Sequence, residues 1–549
     1  MNSTPRPIAQ TLCLPKGTLA LVLHAHLPFV RHPEHPSFLE EEWLFEAITE
    51  CYLPLISILD RLVSETVPCR LTLSISPTLA EMLNDSILRS RYLHYLTQRM
   101  ELAEKEVLRT KHDSTFHHLA LMYRSHYFEA YEQFEVRCKQ NLLSAFSELQ
   151  NAGALEIITS PATHAFLPFV SNEESRRAQL VLASLTCQKY FGKRPRGLWL
   201  AECGYEPGLE ALFKEAGFDY FILDAHGILF GTPRPTYGVF APVRTPGGTM
   251  AFGRDMESSR QVWSSKVGYP GDYDYREFYR DLGYDGDYDY IRSYLHADGV
   301  RRNLGFKYFR ITGESDLGQR APYNPDRALA RAHEHAGNFV FNRALQIDSL
   351  YQTLNRAPTV VSPYDAELFG HWWFEGPQFL DQVIRMSALD QKTFRLATLS
   401  EVLEEDTEPL SQQPAGSSWG AHGYHQVWLN ERNQWLYRHQ HWAEASMVEL
   451  ADRFPAAEGT PARMLNQAAR ELLLAESSDW AFLINQGTSA TYAVRRFRDH
   501  IHRFKTLHDE ILRRSPFSEE LDRIEAHDNI FPDLDYRLYG KHGAVGRKQ

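Results

Sequence analysis

The chain predicts an α/β fold built on a barrel. Three observations carry this: short apolar runs recur over about 400 residues, helical stretches separate them, and no G-x-G-x-x-G follows any run. An open doubly wound sheet fits that count less well than a closed or incomplete (β/α) barrel. The first run, residues 18–28 (TLALVLHAHLP), is β-branched and Leu-rich and ends at a proline that no helix interior tolerates. A helical stretch over about residues 38–65 leads to a second run at 69–77 (CRLTLSISP), and strand, helix, strand order favours parallel pairing. Over residues 83–150 the strand signals stop and helical apolar spacing takes over, which predicts a helical insertion. Further runs follow at 154–161, 196–202, 220–224, 307–312, 359–367 and 394–399. Beyond residue 405 a polar linker, EDTEPLSQQPAGSS, opens onto periodic helical stretches at 430–454, 461–476 and 492–514. The expected organisation is therefore a first barrel part (1–82), the insertion (83–150), a second barrel part (151–410) and a C-terminal helical domain completing the cleft (411–549).

Composition narrows the function. The 549 residues are 43% hydrophobic and 23% charged, which excludes a disordered, collagen-like or disulfide-scaffold chain. A net charge of −12 without a basic block argues against nucleic acid or a polybasic membrane patch as partner and favours a neutral or small one. No apolar run has the length of a membrane span, and no signal peptide is read at the start. The six cysteines are scattered without C-x-x-C spacing, as in reduced cytoplasmic proteins. The 12% aromatic share asks for an explanation.

In a barrel of this kind the chemistry lies at the C-terminal strand ends. There stand His24 and His26, then His164, then Trp199 with Glu202, then Asp365 and Glu367 before His371, Trp372 and Trp373. Two strand-end carboxylates are the components for cleaving a glycosidic bond: one attacks the anomeric carbon and the other protonates the leaving oxygen. Tryptophans offer flat faces to sugar rings, and imidazoles bond hydroxyls without a fixed charge. Rival readings remain open on the residues alone. His24 and His26, with Asp365 and His371, are also a start for a metal site. Equally, the histidines suit a satisfied core. Cys203, beside Glu202, raises a thiol nucleophile but has no base partner nearby in sequence. The tyrosine-rich stretch 262–290 reads as a solvated excursion or a binding surface. Trp419 and Trp428 read as anchors of the helical domain or as sugar contacts, and Asp479 with Trp480 as a helix start.

Five segments, HAHLPF from His24, GALEIITSPATHAFLP from Gly153, WLAECGY from Trp199, SPYDAELFGHWWFEGP from Ser362 and AESSDWAF from Ala475, together resemble the family-57 glycoside hydrolases, in particular their α-1,4-glucan branching members. The resemblance implies an incomplete (β/α)7 barrel and a retaining double displacement on α-1,4-glucan, with Glu202 as nucleophile and Asp365 as general acid/base. Their carboxyl groups are then expected about 5 to 5.5 Å apart. It also implies His24, His26 and His164 as ligands of the sugar at the cleaved bond, and Asp479 with Trp480 as a contact from the helical domain. Trp43, Trp263, Trp419 and Trp428 match aromatic glucan contacts, and Tyr237 the tyrosine of a mobile loop that excludes water. Trp199, Arg260, His371, Trp372 and Thr488 complete the expected substrate-binding set, Thr488 standing where a glutamine is typical. No cofactor and no metal are expected. An amylase or 4-α-glucanotransferase on the same carboxylates, and a non-catalytic glucan-binding protein, are the alternatives.

Overall fold

The computed structural model describes residues 14–541 apart from 265–266, 314, 407 and 515–517. Ten strands lie among them: β1 (Gly17–Ala25), β2 (Leu71–Ile75), β3 (Leu155–Ile158), β4 (Gly197–Trp199), β5 (Tyr220–Leu223), β6 (Val243–Arg244), β7 (Met250–Gly253), β8 (Thr359–Asp365), β9 (Phe394–Leu396) and β10 (Leu410–Ser411). One parallel sheet has the order β3-β2-β1-β8, and in a second β4, β5 and β7 are parallel. A parallel bridge between Thr159 and Leu198 joins the two. Seven strands thus follow one another as β8-β1-β2-β3-β4-β5-β7. Between β7 and β8 no ladder forms among the described residues; the Asp255 N–H donates to the Val361 carbonyl at 2.8 Å across the gap. This is an incomplete (β/α)7 barrel.

Every residue of β1 is buried, the reason its sequence is a continuous apolar run rather than an alternating one. Alternation decides direction instead. Ala20 and Val22 join Ile158, Trp199, Ile222, Phe252 and Val361 in the barrel interior, while Leu19, Leu21 and Leu23 pack among the surrounding helices. The same phase carries His24 and Asp365 to the mouth, where they are register partners.

Two strand expectations are corrected. Residues 307–312 are not a barrel strand: they make isolated bridges, Arg276 to Arg310 and Phe309 to Pro322, and Phe306 and Tyr308 are buried toward the helical insertion. The fourth barrel strand after the insertion is instead β7, whose four residues between glycine-bearing segments give too short an apolar run to stand out. β9 pairs with the lower half of β1, Gly17 to Leu19, whereas β2 takes the upper half from Val22.

Between β2 and β3 lie helices Pro77–Asn84, Ser86–Arg109, Ser114–Glu132 and Leu142–Asn151, the last three within the stretch expected as an insertion. Asp85 and Asp113 cap the middle two by accepting first-turn N–H groups. The end of the tyrosine-rich stretch and the residues after it are tied to this insertion: Tyr290 and Tyr308 donate to Glu106 at 2.9 and 2.8 Å, and Tyr294 donates to Glu101 at 2.8 Å. The polar linker is part of the sheet edge, since β10 pairs with β6 and the Gln412 amide donates to the Ile228 and Pro233 carbonyls. Helices Trp435–Arg453, Gly459–Ala475, Ser478–Gln486, Ala490–Arg513 and Ser518–His527 follow. None of the described helices is long and apolar enough to cross a membrane.

Candidate active site

β1 delivers two histidines to the mouth, and two serines of β2 and its end meet them. His24 Nδ1 lies 3.0 Å from Ser74 Oγ and His26 Nδ1 lies 2.8 Å from Ser76 Oγ. Beyond them, His24 Nε2 is 3.0 Å from His164 Nε2, and His164 Nδ1 is 2.9 Å from Ser478 Oγ. His26 Nε2 lies 3.0 Å from Asp479 Oδ2. The three rings stack, His26 on His164 at 3.8 Å and His24 on Trp199 at 4.7 Å. Ser478 and Asp479 come from the start of helix Ser478–Gln486, so the C-terminal region closes one wall. Burial first, and the neighbouring imidazoles second, hold His24 and His164 well below the ordinary histidine range. They are neutral hydrogen-bonding groups, suited to sugar hydroxyls. Burial opposes the charge of Asp479, but His26, His164 and Ser477 outweigh it and bring the carboxyl down to about 2.

Glu202 stands in the Ala201–Cys203 turn just beyond β4, with φ 58° and ψ 23°, and Cys203 follows at φ 51°. Left-handed backbone at two non-glycine residues costs about 1 to 3 kcal/mol each, and such strain collects at functional sites. Trp419 compensates: its main-chain N–H donates to the Glu202 carbonyl at 3.0 Å and its indole Nε1–H to Glu202 Oε2 at 2.8 Å. Burial pushes the Glu202 carboxyl up to about 7, Trp419 and His26 pulling against it and Asp479 adding to it. Cys203 is fully buried and its thiol is pushed well up by that burial, so the thiol-nucleophile reading falls.

Asp365 ends β8. Burial, then Glu367, then Glu202 raise its pKa well above the ordinary carboxylate range, the direction that suits a proton donor. Glu202 therefore acts on Asp365 through space, as paired carboxylates do. Glu367 is fixed by Tyr52, whose hydroxyl donates to Oε1 at 2.5 Å, and by the His26 N–H at 3.2 Å. Tyr52 belongs to a π-helical turn, Ile48–Tyr52, and such turns recur at functional sites. Gly370 lets the next turn pass under it: at φ +120° a Cβ would lie 1.7 Å from the Glu50 carbonyl oxygen.

The remaining expected contacts divide. Trp419 touches Trp199 and Trp263 edge-on at 5.2 and 6.2 Å, and Trp263 is 37% exposed beside the site. Trp372 is 58% exposed and stacks on Phe278 at 5.3 Å, while His371 Nδ1 pairs with Glu50 Oε2 at 2.7 Å rather than with any metal grouping. Trp43 is half-buried against Tyr492. Trp428 and Trp480 are each 1% exposed, the first stacked on Phe166 and the second donating to the Leu474 carbonyl; they are core, and offer no face to a sugar. Trp199 likewise serves as the floor under His24. Arg260 and Thr488 are exposed, at helix Met256–Trp263 and after helix Ser478–Gln486. Tyr237 is elsewhere. Its ring lies 4.9 Å from the Arg356 guanidinium, ahead of β8, whereas Asp365 ends that strand about 20 Å further on at about 3.3 Å per residue. The chain after β5 turns back through helix Ala225–Leu229 and carries Tyr237 away from the mouth.

His26, His164 and Asp479 are the described grouping at the mouth with donor atoms within 4.8 Å of one another and so the one able to take a cation there. A cavity of about 450 Å³, lined by Arg109, Phe116, Arg280, Tyr290, Tyr308 and others, involves none of the site residues. Sequence reasoning missed Ser74, Ser76, Ser478 and Tyr52; the polar residues at alternate positions of the buried run LTLSIS were the available signal.

Residues 20–412 match Glycosyl hydrolase family 57. The chain belongs to this family. Residues 439–539 match a second description, 1,4-alpha-glucan branching enzyme, C-terminal. A curated relative, a 1,4-alpha-glucan branching enzyme of Thermococcus kodakarensis, is 34% identical over 94% of this chain and 77% of that protein. Its crystal structure, in complex with glucose and additives, superposes with a TM-score of 0.87 at 32% identity, covering 96% of this chain and 97% of that one. A structure described as the novel alpha-amylase AmyC from Thermotoga maritima is 42% identical, with a TM-score of 0.90, over 95% of this chain and 99% of that one. Membership of the family accords with the barrel described above.

Proposed function

We propose that this chain is a 1,4-alpha-glucan branching enzyme. Glu202 attacks the anomeric carbon of an α-1,4-linked glucose while Asp365 gives its proton to the departing O4; the glycosidic bond breaks and a glucosyl ester forms. The C6 hydroxyl of a second chain then yields its proton to Asp365, its oxygen takes the anomeric carbon, and the ester to Glu202 breaks. Neutral His24 and His164, with His26 and Asp479, hold the hydroxyls of the reacting sugar, and Trp263, Trp372 and Trp419 offer ring faces to the flanking units. The observation that carries the mechanism is the paired environment of the carboxylates, Glu202 bonded to the Trp419 indole N–H and Asp365 buried at the end of β8 with its pKa raised. The match of the C-terminal helices to a branching-enzyme description supports transfer as the outcome. A glycogen-like polymer in the cytoplasm is the setting, and the five described cysteines, all free, support a reducing compartment.

A second reading, α-amylase, is favoured by the 42% identical relative of that description and by Tyr237, which lies at the far end of β8 and does not help keep water from the ester. Incubation with amylose decides. Branching yields α-1,6 linkages with few new reducing ends; reducing ends in excess would establish hydrolysis. E202Q is expected to lose all turnover, and an active E202Q would remove the mechanism.

A further inference from the structure

We propose that Trp419 is a positioning residue for Glu202: its indole N–H and the loop that carries it hold the attacking carboxylate oriented and ionised, so that seating of residues 417–428 on the barrel sets the readiness of the nucleophile. The proposal rests on the reading of Glu202 as nucleophile.

An indole N–H only donates. It bonds a carboxylate better than a carboxylic acid and so favours the charged form of whatever it holds. Here it takes one lone pair of Glu202 Oε2 at 2.8 Å, and among the described residues no protein donor reaches Oε1, which is left for attack. The ring itself is fixed by Trp199 below, Trp263 beside and the Arg254 guanidinium 5.8 Å from its centre. Arg254 is held in turn by Asp224 Oδ2 at 2.6 Å. The charged groups that bear on Glu202 come from two neighbouring elements, Asp479 from the C-terminal helices and His26 beyond β1. Asp479 opposes its ionisation along with burial, and Trp419 is the neutral donor that answers them.

The loop is docked at three further points. Ser417 and Tyr205 exchange main-chain hydrogen bonds at 2.9 and 3.0 Å, the Ala415 N–H donates to Gly227 at 2.8 Å, and His226 Nε2 lies 2.6 Å from the Gly423 carbonyl. Its far end is Trp428, buried under Phe166 in the core of the C-terminal region. One segment therefore links the helical region to the nucleophile. A merely aromatic role for Trp419, as a sugar platform, needs none of these contacts.

W419F keeps the ring and removes the donor. The acid limb of its kcat/KM profile is expected to move up by about one pH unit, with kcat at pH 6 down about tenfold, because a hydrogen bond to a charged group is worth about that factor. KM for amylose is expected to stay within about twofold. An acid limb coincident with that of the parent, with KM raised instead, would overturn the proposal and leave Trp419 a sugar contact. In the unaltered chain, the 15N-indole resonance of Trp419 should titrate near pH 7 and cease to do so in E202Q; a resonance indifferent to pH overturns the proposal without relying on W419F. If E202Q remains active, the nucleophile reading fails and this proposal with it, whereas an inactive E202Q with an unmoved W419F profile overturns this proposal alone.

Discussion

His24 and His164 present Nε2 to Nε2 at 3.0 Å, each with its other ring nitrogen on a serine hydroxyl. One ring donates to the other, so the pair holds together only while at least one is neutral, and burial keeps both below the usual histidine pKa of 6.5. In the unfolded chain both regain ordinary values. Between the folded and unfolded pKa values the unfolded state binds more protons, so stability rises with pH there. The contribution is fully present above about pH 6.5 and is lost as pH falls below it, at up to about 1.4 kcal/mol per pH unit for each ring. Apparent Tm is expected to drop from pH 7 to pH 5, and to drop less in H164Q. Equal slopes in the two proteins would refute the neutral pair.

Asp365 must be protonated to release the leaving chain. After burial, the nearest contribution to its raised pKa is the charge of Glu367, which Tyr52 and the His26 N–H hold in place. Glu367→Gln removes that charge, lowers the Asp365 pKa and moves the alkaline limb of kcat/KM to lower pH, activity at high pH falling more than at low pH. D365N, lacking the proton altogether, is expected to lose about 10²- to 10⁴-fold. An alkaline limb unmoved in E367Q would show that burial alone sets the acid.

Much of this was legible in the chain. His24, His26, Glu202 and Asp365 each close an apolar run, and a barrel strand has one end at which to do chemistry. What stayed hidden was depth. Trp428 and Trp480 occupy motif positions like those of Trp263 and Trp419, yet ring burial depends on partners from other elements, Phe166 for the first and Tyr492 and His500 for the second. Tyr237 was misplaced because a Pro-rich loop says that the chain turns, not toward which end of the barrel. The run at 307–312 is short and apolar like a strand, but its aromatics satisfy the insertion rather than a sheet. Much of the 12% aromatic share serves such packing, and a smaller part faces the site.

The grouping of His26, His164 and Asp479 bears on the metal reading. His26 already has Asp479 and Ser76, and His164 has Ser478 and His24, so its polar atoms have protein partners. Dialysis against a strong chelator is expected to leave turnover of amylose within about twofold of its starting value. A large loss restored by a divalent ion would reverse this and make the histidines ligands.

The two classes of tryptophan are separable by experiment. Trp428 lies at the seam between the barrel and the C-terminal helices, 1% exposed and stacked on Phe166 at 4.7 Å. Removing such a ring costs about 3 to 5 kcal/mol, through lost transfer energy and the cavity left behind. W428A should therefore unfold several degrees lower in a thermal melt. Trp263 is 37% exposed and touches Trp419 only edge-on, so W263A leaves no comparable cavity and is expected to keep the parent melt within about 2 °C. Its effect is expected on KM for amylose, raised about threefold to tenfold by the loss of one stacking face. The assignment fails if W428A melts like the parent, or if W263A binds and turns over amylose unchanged, since the first would then pack nothing and the second would face no sugar.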